Sequence, residues 1–284
     1  GYTQRLPQLF QALLAGYFSY TPTAEQLEQA KSWYAQMMDS ADKGKAFDQA
    51  IMPVQMLSQV PYFQREDRRA LLPSITLDDI LAYRDALKTN ARPEFLVVGN
   101  LTDQQAKDLA HGVQEQLSAK GSEWCRNKEV LIDKPQSVIF EKAGNSTDSA
   151  LAAVFVPSGF DEYTSSAYSA MLGQIIQPWF YNQLRTEEQL GYAVFAFPMS
   201  IGRQWGMGFL LQSNSKQPAW LWERYKAFFP TAEAKLRAMK PEEFAQIQQG
   251  VIAQIQQAPQ TLGEEASKLS KDFDRGNMRF DSRD

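Results

Sequence analysis

At 284 residues, with 44% hydrophobic and 22% charged side chains, the chain has the balance of a globular protein of one large domain or two ordinary ones. A net charge of −4 and a pI near 5.3 argue against a nucleic-acid partner, which needs a concentrated basic surface. No run approaches 18 consecutive apolar residues, so no membrane-spanning helix is expected, and Cys125, the single cysteine, excludes an internal disulfide.

The chain opens at Gly1 without a methionine or a basic-then-apolar leader. It stops in polar text at residues 280–284 that starts to read as another helix. Both ends are read as cuts in a longer protein. Residues 6–18 carry apolar side chains at helical spacing. Thr21 and Pro22 mark a stop and restart, with Pro22 suited to a first helical turn. From 23 to 38, Leu27, Ala30, Tyr34 and Met37/Met38 fit one buried helix face. Residues 47–60 and 78–87 add helices, the second opened by Thr76 with Asp79 three residues on, and the charged 62–73 stretch reads as a connector. Residues 95–98 read as a first strand between Pro93 and Gly99. Thr102 with Gln105 then forms a capping box for a helix whose apolar face is Ala106, Leu109, Ala110, Val113 and Leu117. The polar stretch 120–126 ends that unit, which places a boundary near residue 127.

The second unit reads differently. Residues 138–140 and 150–156 are strand-like, and a long helical run from 165 to about 189 contains Pro178, where a bend is expected. Residues 192–197 and 207–212 form a hairpin-like pair joined through 201–206. Residues 220–229 and 242–257 are amphipathic helices. A meandering sheet followed or covered by helices makes the class α+β.

The chemistry is bounded first by histidine. His111 is the only one, and the helical zinc motifs H-E-x-x-H and H-x-x-E-H each need two. His111 lies beside the apolar face of its helix with no second imidazole or thiol nearby, so no metal site is expected in this chain. Gly202, Gly206 and Gly208 lack the strand-to-helix setting of a dinucleotide motif and read as turn and sheet glycines. Lys43-Gly-Lys45 lacks the upstream glycine of a phosphate loop, and the sequons at Asn100 and Asn145 are common by chance. Asp78/Asp79 and Glu242/Glu243 sit in first helical turns, where the helix dipole favours acids.

The segment 184–195, LRTEEQLGYAVF, stands apart as the functional centre. Arg185 lies near the end of the long helix, Gly191 breaks it, and Tyr192 opens a strand seven residues after Arg185. A guanidinium offers five donors and a phenol one, so the pair can hold peptide carbonyl oxygens without reading side chains. A donor aimed at a scissile carbonyl also stabilises the developing oxyanion. The alternative is structural: Arg185 pairs with Glu188 or Gln189 on the helix surface, and Tyr192 packs in the sheet.

The text GQIIQPWFYNQLRTEEQLGYAVF (173–195) and GMGFLLQSNSKQPAWLWERYKAFF (206–229) resembles the C-terminal half of the zinc metallopeptidases of the pitrilysin and insulin-degrading enzyme family. The opening GYTQRLPQLFQALL and FLVVGNLT (95–102) extend the resemblance over nearly the whole chain. It implies a processing-peptidase-like α+β fold, with residues 1–126 the later part of a third clamshell domain and 127–284 most of a fourth. It also implies zinc bound by H-x-x-E-H in an N-terminal half absent here, short polypeptide substrates enclosed between the halves, and a periplasmic setting. Arg185 and Tyr192 match the family positions that reach the substrate. No catalytic or zinc-binding residue is expected in this chain, and the chain alone is expected to be inactive. A rival reading within the fold is a non-catalytic subunit acting as a structural or interaction protein.

Overall fold

A computed structural model describes residues 5–57, 59–117, 128–134, 136–144, 146–276 and 280. In chain order it forms α1 (Leu6–Ser19), α2 (Ala24–Asp42), α3 (Ala46–Met56), β1 (Gln59–Val60), α4 (Arg65–Leu71), α5 (Leu77–Asn90) and α6 (Asp103–Gln116). There follow β2 (Lys128–Glu129), β3 (Ser149–Phe155), α7 (Glu162–Tyr181), β4 (Ala193–Ile201), β5 (Gln204–Ser213), α8 (Pro218–Arg237), α9 (Pro241–Gln256) and α10 (Leu262–Arg275). The class is α+β, helices with a small antiparallel sheet, as expected.

Two compact units form, and neither is continuous in sequence. The first comprises Gly1–Ala35, Arg65–Arg126 and Gln256–Asp284; the second comprises Gln36–Gln64 and Asn127–Ile255. The polar stretch 120–126 with Cys125, residue 127, Asn145 and the helix anticipated at 281–284 lie outside the described residues.

Local signals set the helix ends of the first unit. Thr76 accepts from the Asp79 N–H while Asp79 accepts from the Thr76 N–H, and Thr102 with Gln105 does the same. Thr23 and Gln26 make this reciprocal pair before α2, so the helix starts after Pro22 rather than on it. The expected connector at 62–73 instead contains α4 and a short 3-10 turn at Leu72–Ser74, because acids at its start and arginines at its end suit a helix dipole. α10, opened by Thr261 accepting from the Glu264 N–H, was not anticipated.

Two expected strands do not form ladders. Residues 95–98 and 138–140 pair with no strand among the described residues, and Val138, Ile139 and Phe140 are largely exposed. Their β-branched and aromatic text suits an extended backbone, but a strand also needs a partner, which local sequence does not supply. The helix expected over 47–60 ends at Met56, and Gln59–Val60 pairs with Lys128–Glu129 instead.

The second unit is built on a three-stranded antiparallel sheet in the order β3-β5-β4, with the centre strand β5, expected over 207–212, covered on both faces. The hairpin extends further than expected. Ile201 pairs with Gln204 across a turn of only two residues, and Gly202 takes the left-handed φ of 59° that a tight hairpin turn needs at its first position. Alternate positions Met207, Phe209 and Leu211 face Phe180, Leu184, Leu221, Tyr225 and Phe228 in the main core. The Phe180 ring meets Phe209, Tyr225 and Phe228 edge-on with centroids 5.2 Å apart. The Tyr225 hydroxyl donates to the Leu151 carbonyl at 3.2 Å, and burial pushes its phenol pKa well up. The other face of the sheet lies toward α3, whose Phe47 N–H reaches Gln212.

Candidate functional site

The long helix passes through Pro178 and changes only after it. Residues Asn182–Glu187 form a π turn, in which Glu188 donates to the Gln183 carbonyl at 2.9 Å and Leu190 to the Leu184 carbonyl at 3.0 Å. Leu184 and Leu190 are both buried in the main core and pin this turn from below. Gln189, at a positive φ of 53°, ends the helical path. π turns of this kind are frequent at functional sites, because they shift side-chain direction within an otherwise regular helix.

Arg185 does not pair with Glu188 or Gln189, as the structural alternative had it. Its Nη1 donates to the Gly191 carbonyl at 2.6 Å, and none of its other guanidinium donors meets an acceptor among the described residues. Glu188 is taken by Arg224 through two hydrogen bonds of 2.7 Å. Those bonds hold the Glu188 carboxyl below its usual range against the opposing effect of burial, with smaller help from Gln183, and Arg224 is raised in return. The pairing leaves Arg185 to face away from that carboxylate.

Gly191 joins the two site residues. A Cβ there would lie 1.8 Å from the Gln212 carbonyl oxygen, so only glycine lets the chain press against β5 at this point. Tyr192 follows immediately, just before β4 rather than as its first residue, and does not pack into the sheet: half of it is exposed. Its hydroxyl accepts from Gln212 Nε2 at 2.6 Å. The same Nε2 donates to Asp148 at 2.6 Å, and Gln212 Oε1 accepts from the Phe47 N–H at 3.1 Å.

Arg185 and Tyr192 thus line one open depression of about 470 Å³, together with Tyr181, Thr186, Gln189, Gly191 and Asn214. Arg185 is the one charged side chain in that lining, so the surface presents a cationic donor beside neutral polar groups. The structure brings Arg185, Gly191 and Tyr192 to one depression and sets Gln212, Asp148 and Arg224, which local sequence does not mark, around them. A glutamine directly after the apolar run GFLL was the one visible sign of Gln212.

The residues present do not fit a zinc site. His111 is exposed on α6, and no group of three or more His, Cys, Asp or Glu able to hold a metal ion stands among the described residues. Nor is any described helix long and apolar enough to cross a membrane.

The profile of the PQQ synthase PqqF-like family, C-terminal lobe domain 4, matches residues 171–270. The particular resemblance is to Protease 3 of Shigella flexneri, 84% identical over the whole chain, and to the crystal structure of pitrilysin, 83% identical with a TM-score of 0.95. The chain spans about 30% of the length of each of these. Human insulin-degrading enzyme is 23% identical over 99% of the chain and 28% of its own length. A protease from Helicobacter pylori shares the fold at a TM-score of 0.69 and 14% identity, over 96% of this chain and 68% of its own. The resemblance read from residues 173–229 is therefore borne out along the entire chain.

Proposed function

We propose that this chain is the C-terminal, substrate-enclosing part of a zinc metalloendopeptidase that degrades short polypeptides in the periplasm. In this reading residues 1–126 and 127–284 are parts of successive clamshell domains. An N-terminal half holds the zinc, which supplies the activated water of peptide hydrolysis. The observation that carries the proposal is the shared depression: Arg185 and Tyr192 both face it with hydrogen-bond donors that no group in the described residues uses.

Peptide carbonyls are the natural complement of such donors. Every residue of a substrate carries one, so a guanidinium and a phenol gripping them bind backbone irrespective of side chain. Where the carbonyl gripped is the one under attack, the donor strengthens its hold as negative charge develops on the oxygen. Among the described residues no cluster stands ready to hold a metal for that step.

The test uses the longer polypeptide carrying both halves and an unstructured peptide as substrate. Tyr192→Phe and Arg185→Ala each lower kcat/KM by at least about tenfold, the lower bound for one hydrogen bond to a developing charge. Zinc content and melting temperature stay at the parent values. Unchanged cleavage in both variants removes the role assigned to the pair.

A further inference from the structure

Gln212 is buried at 2% exposure in the centre strand, and its carboxamide meets three polar groups from distant parts of the second unit. Two of the three leave no choice of orientation. The Phe47 N–H can only donate, so it must face Oε1; the Asp148 carboxylate accepts, so it must face Nε2. Both hydrogens of Nε2 are then committed, one to Asp148 and the other to the Tyr192 hydroxyl. Tyr192 is obliged to accept on this side. A phenol has a single proton, and one that accepts from Gln212 keeps that proton for a different partner. None of the described residues takes it, and the half-exposed ring borders the depression.

We propose that Gln212 is a positioning residue that sets the polarity of the Tyr192 hydroxyl, with Asp148 and the Phe47 N–H locking the amide, so that the phenol proton is presented to a peptide carbonyl. This rests on the substrate role proposed for Tyr192. The arrangement has a mechanical advantage over a free tyrosine. A hydroxyl free to turn inward to an acceptor would spend its proton in that hydrogen bond and offer the substrate only a lone pair, which a carbonyl oxygen cannot use.

Gln212→Glu tests this in the full-length protein. Glutamate keeps the side-chain length and still accepts from the Phe47 N–H, but it turns the donor facing Tyr192 into an acceptor, so the phenol proton swings inward. The expected result is a fall in kcat of about tenfold, close to that of Tyr192→Phe, with KM within about twofold of the parent. Placed in the Tyr192→Phe background, Gln212→Glu costs nothing further, because the proton it redirects is already gone. Gln212→Met, which removes the donor without adding an acceptor or a charge beside Asp148, gives a smaller loss of the same kind and serves if the glutamate variant does not fold. A loss that persists undiminished in the Tyr192→Phe background, for either variant, shows that Gln212 acts through packing and overturns the inference. A Tyr192→Phe protein with parental activity overturns instead the substrate role on which it rests.

Discussion

In the second unit the side chains of α7, α8, β4 and β5 close on one another, whereas the helices of the first unit are defined mainly at their own ends. Phe180, Leu184, Leu211, Leu221 and Tyr225 are fully buried in the second unit. Val113 is the one buried hydrophobic residue among the described residues of the first, and along α1 Leu9, Leu13 and Tyr17 are all more than half exposed. The contrast shows what a donor site requires. Presenting Arg185 and Tyr192 with unused donors depends on neighbours that cannot shift, and only the unit with a close-packed core provides them.

The largest effect that could break this comparison is in the core itself. Phe180→Ala leaves a cavity beneath the π turn and is expected to cost about 3–5 kcal/mol, whereas Leu9→Ala on exposed α1 stays within about 0.5 kcal/mol. Chemical denaturation of the two variants, with hydrogen exchange to locate the loss, checks this. Equal losses would mean that the first unit is as tightly packed as the second.

Gly191→Ala comes next. The added methyl would have to displace the Gln212 carbonyl, which lies 1.8 Å from its position, at a cost of about 1–3 kcal/mol. Because the Gly191 carbonyl holds Arg185, peptide cleavage by the full-length protein should fall along with the melting temperature. A stable variant with lowered activity would sharpen the comparison by separating the site from its core.

The smallest effect concerns the Glu188–Arg224 pair. The folded pKa of Glu188 lies below the ordinary value of 4.5, so the stabilisation it brings is fully present above that value and is lost as pH falls through the lowered pKa. Glu188→Gln should therefore cost about 1 kcal/mol at neutral pH and nothing in acid below that pKa, measured as the gap between parent and variant denaturation midpoints across pH. A gap independent of pH would assign the interaction to packing.

Much of the helical architecture was legible because its causes are local. Thr76 with Asp79 and Thr102 with Gln105 lie three residues apart, within reach of one turn, so the caps could be read directly. Strand assignments failed where the missing information was a partner. Residues 138–140 carry strand-like side chains and pair with nothing described, while Gln59–Val60, read as helix, finds a partner at Lys128–Glu129.

The candidate site divides in the same way. The order of residues in LRTEEQLGYAVF by itself determined that a guanidinium, a glycine break and a phenol come together at a helix end. Tertiary structure alone decided which of their donors remain to be used. Glu188 is drawn off by Arg224, 36 residues away, and Tyr192 is oriented by Gln212, 20 residues away. Gln212 is held in turn by Asp148 and Phe47, 64 and 165 residues distant. Hydrogen bonds saturate: a group engaged by one partner is withdrawn from others, and that accounting runs through space rather than along the chain.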